Sequence, residues 1–135
     1  MKQIFINLPV EDLEKSTKFY LQLGFESNDI FTDKEQKCML WSDAIYVMLQ
    51  SKSFFNAYLK MNSIAANDGY SATYTLPVES TEQVDDMMAR GLLAGGSEPI
   101  PPLKETYMYL RSIEDLDEHL WGIMYLDRAA FTKQI

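Results

Sequence analysis

The chain has 135 residues, enough for one compact domain that buries a core without disulfides or a structural metal. Its 47% apolar and 24% charged residues place it among soluble globular proteins and exclude disorder. A net charge of −8 argues against nucleic-acid partners, which require a basic face, and the single cysteine, Cys38, excludes a disulfide framework or a cysteine metal cluster.

The opening stretch, MKQIFINLPVEDL, breaks its apolar run at Pro9 and then turns acidic, unlike a signal peptide. No run approaches membrane length, so a cytoplasmic protein without a membrane partner is expected. Ile4, Ile6 and Leu8 alternate with Gln3, Phe5 and Asn7, the period of a strand. A helix follows, with Asp12 or Glu11 as its cap, Leu13, Tyr20 and Leu23 on one stripe, and Gly24 as its stop. Shorter strands are predicted in GFESNDIF, QKCMLW and AIYVMLQ, separated by the polar TDKEQ and SD. A linker over about 51–69 carries a short amphipathic helix, SFFNAYLKM, and the loop NSIAANDG.

The second half repeats the first. NLPVED at Asn7–Asp12 recurs as TLPVES at Thr75–Ser80, 68 residues later, again behind an alternating strand (Ala72, Tyr74, Leu76). Ser80 and Gln83 form a capping box, Val84, Met87 and Met88 face inward, and Gly91 with AGG ends the helix. Strands are then expected near 98–100, in ETYMYLRS and in HLWGIMYL. The pattern predicts an α+β fold of two βαβββ modules, about 1–50 and 70–127, in one domain. With helices on one side, the other face of the sheet is expected to be concave around a central cavity.

Chemistry-bearing residues are sparse. EDLDEHLWGIMYLD sets Glu114, Asp115, Asp117 and Glu118 beside the sole histidine, His119, as a metal or acid/base site would. Period-two alternation, however, puts His119 on the face of Trp121, Ile123 and Tyr125, opposite Gly122, so the cluster reads as a solvated acidic turn organised by Asp117. Glu11, Asp12 and Glu14 read as helix-start partners. The methionines, Met48 among them, read as core, those at a cavity making it adaptable. Phe54, Phe55 and Tyr58 serve the linker helix as core, lid or dimer contact. Tyr109 and Arg111 alternate on one strand face, either as ligand donors or as a solvent stripe. Cys38 reads as an inert buried thiol.

Two βαβββ modules with LPVEDLEKSTKFYLQLGF early and EDLDEHLWGIMYLD late resemble the vicinal oxygen chelate superfamily, which includes lactoylglutathione lyase, extradiol dioxygenases and bleomycin-resistance proteins. The late motif resembles the superfamily's D-P-D-G-H-x-W-E turn, with Leu116 for Pro and Glu118 for Gly. The resemblance implies a divalent metal held by four side chains, whose positions here are Phe5, Val47, Thr73 and Gly122. None of these is a competent ligand, so no metal or other cofactor is expected. The implied protein is a small-molecule binder with a pocket at Phe5, Asn7, Val47, Thr73, Thr75 and Gly122, with Tyr109 and Arg111 as further ligand-binding candidates. Gly122 would leave room where the enzymes carry a glutamate, and an acidic shell would favour a cationic compound. A homodimer is implied as well. The alternative is a glyoxalase-like lyase or isomerase, or an extradiol-dioxygenase-like enzyme.

Overall fold

The computed structural model describes residues 1–59 and 70–132; the predicted loop NSIAANDG and the end of the SFFNAYLKM helix lie outside them. The chain divides into two compact units, Met1–Gly69 and Tyr70–Ile135. The first holds β1 (Ile4–Val10), α1 (Leu13–Leu23), β2 (Glu26–Asn28), β3 (Gln36–Ser42), β4 (Ile45–Ser51) and α2 (Lys52–Leu59). The second holds β5 (Tyr74–Val78), α3 (Thr81–Leu93), β6 (Leu103–Lys104), β7 (Met108–Glu114), β8 (Leu120–Leu126) and α4 (Arg128–Thr132). Their sheets run β1-β4-β3-β2 and β5-β8-β7-β6, each with one parallel pair and antiparallel neighbours. The duplicated βαβββ plan and the α+β class are therefore as expected.

Register makes the correspondence exact enough to transfer positions. Pro9 stands opposite Gln50, and Pro77 opposite Met124. Counting back along each ladder, Asn7 opposes Met48 where Thr75 opposes Gly122.

Local chemistry explains the helices. Asp12 caps α1 by accepting from the Lys15 N–H at 3.0 Å. Gly24 follows at φ 128°, where a side chain would be strained. Ser80 caps α3 through the Gln83 N–H at 3.0 Å, and the Gln83 side chain accepts from the Glu79 N–H at 3.0 Å, one residue earlier than the box predicts. α1 buries Phe19, Tyr20 and Leu23 against the sheet face that carries Leu8, Met39, Val47 and Leu49. α3 buries Val84, Met87 and Met88 against Leu76, Ile113, Trp121 and Ile123. Each such side chain contributes about 1.5–3 kcal/mol, so two separate helix-on-sheet cores hold the units.

Four boundaries differ from expectation. β2 stops at Asn28, because the Asn28 side chain accepts from the Ile30 N–H at 2.8 Å and turns the chain. The strand expected near 98–100 is only a bridge from Ser97 to Glu114; Pro99, Pro101 and Pro102 withhold ladder donors, and β6 begins at Leu103. α3 continues through Gly91, which is buried, to Leu93, and Gly95 turns the chain at φ 106°. The short α4 was not anticipated. No helix of the described residues is long and apolar enough to cross a membrane.

Candidate functional site

The first unit carries an open cleft of about 320 Å³ on the sheet face turned away from α1, lined by Phe5, Asn7, Phe31, Gln36, Met48, Gln50 and Phe54. β1 supplies Phe5 and Asn7, β4 supplies Met48 and Gln50, and β3 supplies Gln36, which the ladder sets opposite Gln50. The Phe5 ring stacks on Tyr46 at 4.6 Å between centroids and meets Phe31 edge-on at 5.9 Å. Phe31 reaches the cleft from the loop after β2 with a left-handed backbone, φ 65°, an unfavourable conformation for an aromatic residue. Gln50 donates its amide to the Gln36 carbonyl at 3.1 Å, and Gln50 is only 9% exposed. Asn7 is exposed, and its side chain hydrogen-bonds to none of the described residues.

Phe5 and Asn7 thus line a cleft together, while Val47 does not. Val47 is fully buried on the α1 face, because its ladder partner is Ile6 rather than Phe5 or Asn7. The residue of β4 that matches Gly122 is Met48, one position on. A one-residue slip moves a side chain to the opposite face of the sheet.

In the second unit Thr75 and Gly122 are ladder partners on the face away from α3, with Thr73 exposed in the extended lead-in to β5. The room expected at Gly122 is filled: a Cβ there would stand 3.0 Å from Leu110 Cδ1 and 3.2 Å from Thr75 Oγ1. Tyr109 and Arg111 lie on the opposite, α3-facing side, paired with Tyr125 and Ile123. Arg111 grips Glu98 through two bonds, 2.9 and 2.8 Å, and reaches Asp85 of α3 at 3.0 Å; the Tyr109 hydroxyl donates to Asp85 at 2.6 Å. These hydrogen bonds hold the Glu98 carboxyl below the usual range through Arg111, and that of Asp85 through Tyr109 first and Arg111 second. Tyr109 and Arg111 therefore tie α3 to β7 and share no face with Thr75 and Gly122.

Asp115 organises the acidic turn. Asp115 is 5% exposed, and its Oδ1 accepts from the Asp117 and His119 N–H groups at 2.8 and 2.9 Å. Glu118 sits at φ 67°, in the left-handed region. Cys38 is buried, and burial pushes its thiol up.

Comparison with known proteins follows the same lines. Residues 2–40 match the family described as bleomycin resistance protein-like, N-terminal. A glyoxalase/bleomycin resistance protein/dioxygenase family enzyme from Burkholderia phytofirmans PsJN superposes with a TM-score of 0.80 at 15% identity, covering 93% of this chain and 99% of that one. The fold is that of the glyoxalase/bleomycin-resistance proteins. A hypothetical protein from S. aureus gives a TM-score of 0.78 at 25% identity, over 93% of this chain and 94% of its own. A glyoxalase/bleomycin resistance protein from Albidiferax ferrireducens T118 gives 0.67 at 24% identity, over 90% and 95%. No functionally curated protein matches the chain in sequence.

On the glyoxalase/bleomycin-resistance fold, the metal positions implied by resemblance become Phe5, Met48, Thr73 and Gly122 once β4 is corrected. A phenyl ring, a thioether, a neutral hydroxyl and a hydrogen atom do not fit a divalent cation that takes nitrogen and carboxylate donors. Among the described residues no group of three or more His, Cys, Asp or Glu side chains is placed to hold one. Phe31, Gln36 and Gln50 are cleft residues that sequence reasoning missed, and Met48 and Phe54 were read there mainly as core. The signal that finds Gln36 and Gln50 is a glutamine on each arm of the β3–β4 hairpin, placed opposite one another.

Proposed function

We propose that the protein is a small-molecule binding protein that holds its ligand in the Phe5–Asn7 cleft of the first module without a divalent metal. The observation that carries this reading is the cleft's lining: aromatic rings and a thioether for apolar contact, and carboxamides to orient what enters. Sites of this kind combine an apolar wall with a few placed polar groups. The reading includes a cytoplasmic location and a single domain of 135 residues, as the sequence suggests, and a homodimer, as the resemblance implies; light scattering on the purified chain checks the dimer. Thr73, Thr75 and Gly122 lie in the second module, where Thr75 and Gly122 hold the rung that Asn7 and Met48 hold in the first.

Ligand that binds only the folded state raises its melting temperature. A fragment screen by thermal shift should give hits that vanish in Phe5→Ala, while the unliganded variant still melts cooperatively. Protein purified without chelator should carry less than a stoichiometric amount of nickel, zinc, manganese or iron. A full equivalent of any of these would refute the metal-free reading in favour of a lyase- or dioxygenase-like enzyme.

A further inference from the structure

The cleft lining holds three phenyl rings, three carboxamides and no charged side chain, in a chain of net charge −8. We infer that its ligand is a neutral, flat, one- or two-ring heterocycle carrying a hydrogen-bond donor and acceptor side by side on one edge. This rests on the binding reading above and adds the ligand's chemical class.

Size comes first. About 320 Å³ lies at the small end of the range for ligand sites, room for one or two rings to seat against the sheet. The rings come next. Phe5 stacks on Tyr46 and meets Phe31 at 81° between planes, and with Phe54 these rings make an aromatic wall against which a flat ring can lie. Phe31 borders the cleft with a left-handed backbone while remaining 58% exposed, a local strain of the kind found at ligand clamps.

The polar edge supplies the distinguishing chemistry. Gln50 Nε2 bonds to Gln36 Oε1, which leaves Gln36 Nε2 and Gln50 Oε1 with no partner among the described residues. A donor and an acceptor thus stand on adjacent strands of one hairpin, complementary to a lactam, whose C=O and N–H lie next to each other. Asn7 adds a further amide from β1. Charge then decides between ligand classes. The acidic surface draws cations from a distance, yet at physiological salt that field is screened within about 8 Å. A cation seated in the cleft would shed water with no counter-charge to meet it. Long-range attraction therefore does not select the occupant, and the cationic ligand expected from net charge is not the one the lining fits.

The test titrates the full chain, labelled with nitrogen-15, with four flat two-ring probes: isoquinolinone, its N-methyl derivative, N-methylisoquinolinium and naphthoate. Proton–nitrogen correlation spectra follow the side-chain amides of Asn7, Gln36 and Gln50. Isoquinolinone should shift all three and bind about tenfold tighter than each of the other probes. Gln36→Leu should weaken it about fivefold, one neutral hydrogen bond's worth, and the probe comparison on the unaltered chain stands if that variant does not fold. N-methylisoquinolinium, naphthoate or the N-methyl lactam binding as tightly as isoquinolinone would overturn the ligand class and leave the binding reading intact. No amide shift with any of the four would overturn both.

Discussion

Glu118 offers the cleanest test of the reasoning from local conformation. It holds φ 67° in the turn between β7 and β8, at the place where the related turn motif carries glycine. A side chain there sets Cβ against the following carbonyl, at a cost of about 1–2 kcal/mol. Glycine removes that cost but adds freedom to the unfolded chain, worth about 0.5–1 kcal/mol. The turn's own bonds, from the Asp115 N–H to the His119 carbonyl at 3.0 Å and from the Glu118 N–H to the Asp115 carbonyl at 3.3 Å, are backbone and survive the change. Glu118→Gly should therefore stabilise the protein by about 0.5–1 kcal/mol, which raises Tm by about 2–5 °C in a chain of this size. The charge also changes beside Asp115 and Asp117, so Glu118→Gln is the control: it keeps the conformational cost and removes only the charge. Urea midpoints at unchanged m-value measure both. If Glu118→Gly destabilises, or if Glu118→Gln stabilises by as much, strain at this residue is not what the turn suffers from.

Asp115→Ala strips the acceptor from two N–H groups at a buried site and should lower stability by about 2–3 kcal/mol, whereas Asp115→Asn, which retains an oxygen, should lose less than half of that in the same urea titration. Arg111→Met should cost about 1–2 kcal/mol at neutral pH, discounted because Asp85 is largely solvated. Glu98 and Asp85 have folded pKa values held below the ordinary range, so their contribution is complete above the unfolded values and fades as pH falls through the folded ones; stability measured below about pH 5 should decline less steeply in Arg111→Met than in the parent. Gly122→Ala should destabilise by about 1 kcal/mol through Leu110, and a double-mutant cycle with Leu110→Ala should return a favourable coupling of similar size. An additive cycle would mean that Leu110 does not close over Gly122.

The fold was legible because local signals agreed. Asp12 and Ser80 cap the helices the sequence placed there, and the Pro9/Pro77 repeat located the opening strand of each module, though not its parallel pairing. The site was less legible, for reasons that differ from residue to residue. β4 reads IYVMLQS and buries four consecutive residues, Val47 to Gln50, so the alternation that reveals a strand's faces is silent there, and Val47 was taken for Met48. Tyr109 and Arg111 are polar yet face α3, because Asp85 and Glu98 wait on that side; nothing within β7 itself encodes partners 13 to 26 residues away. The space above Gly122 depends on the side chain of Leu110 in the neighbouring strand, which no property of the glycine reports. Phe31 arrived at the cleft through a positive φ that nothing in its side chain favours, and the part Asp115 plays in the turn follows from the burial of its carboxylate, which no neighbouring residue type reports.

Asn7–Met48 and Thr75–Gly122 occupy the same rung of the two ladders, yet one rung opens into a cleft and the other is roofed by Leu110. Ligand held over the Asn7–Met48 rung should saturate at one equivalent per polypeptide, and a change at Gly122 should reach affinity only through stability.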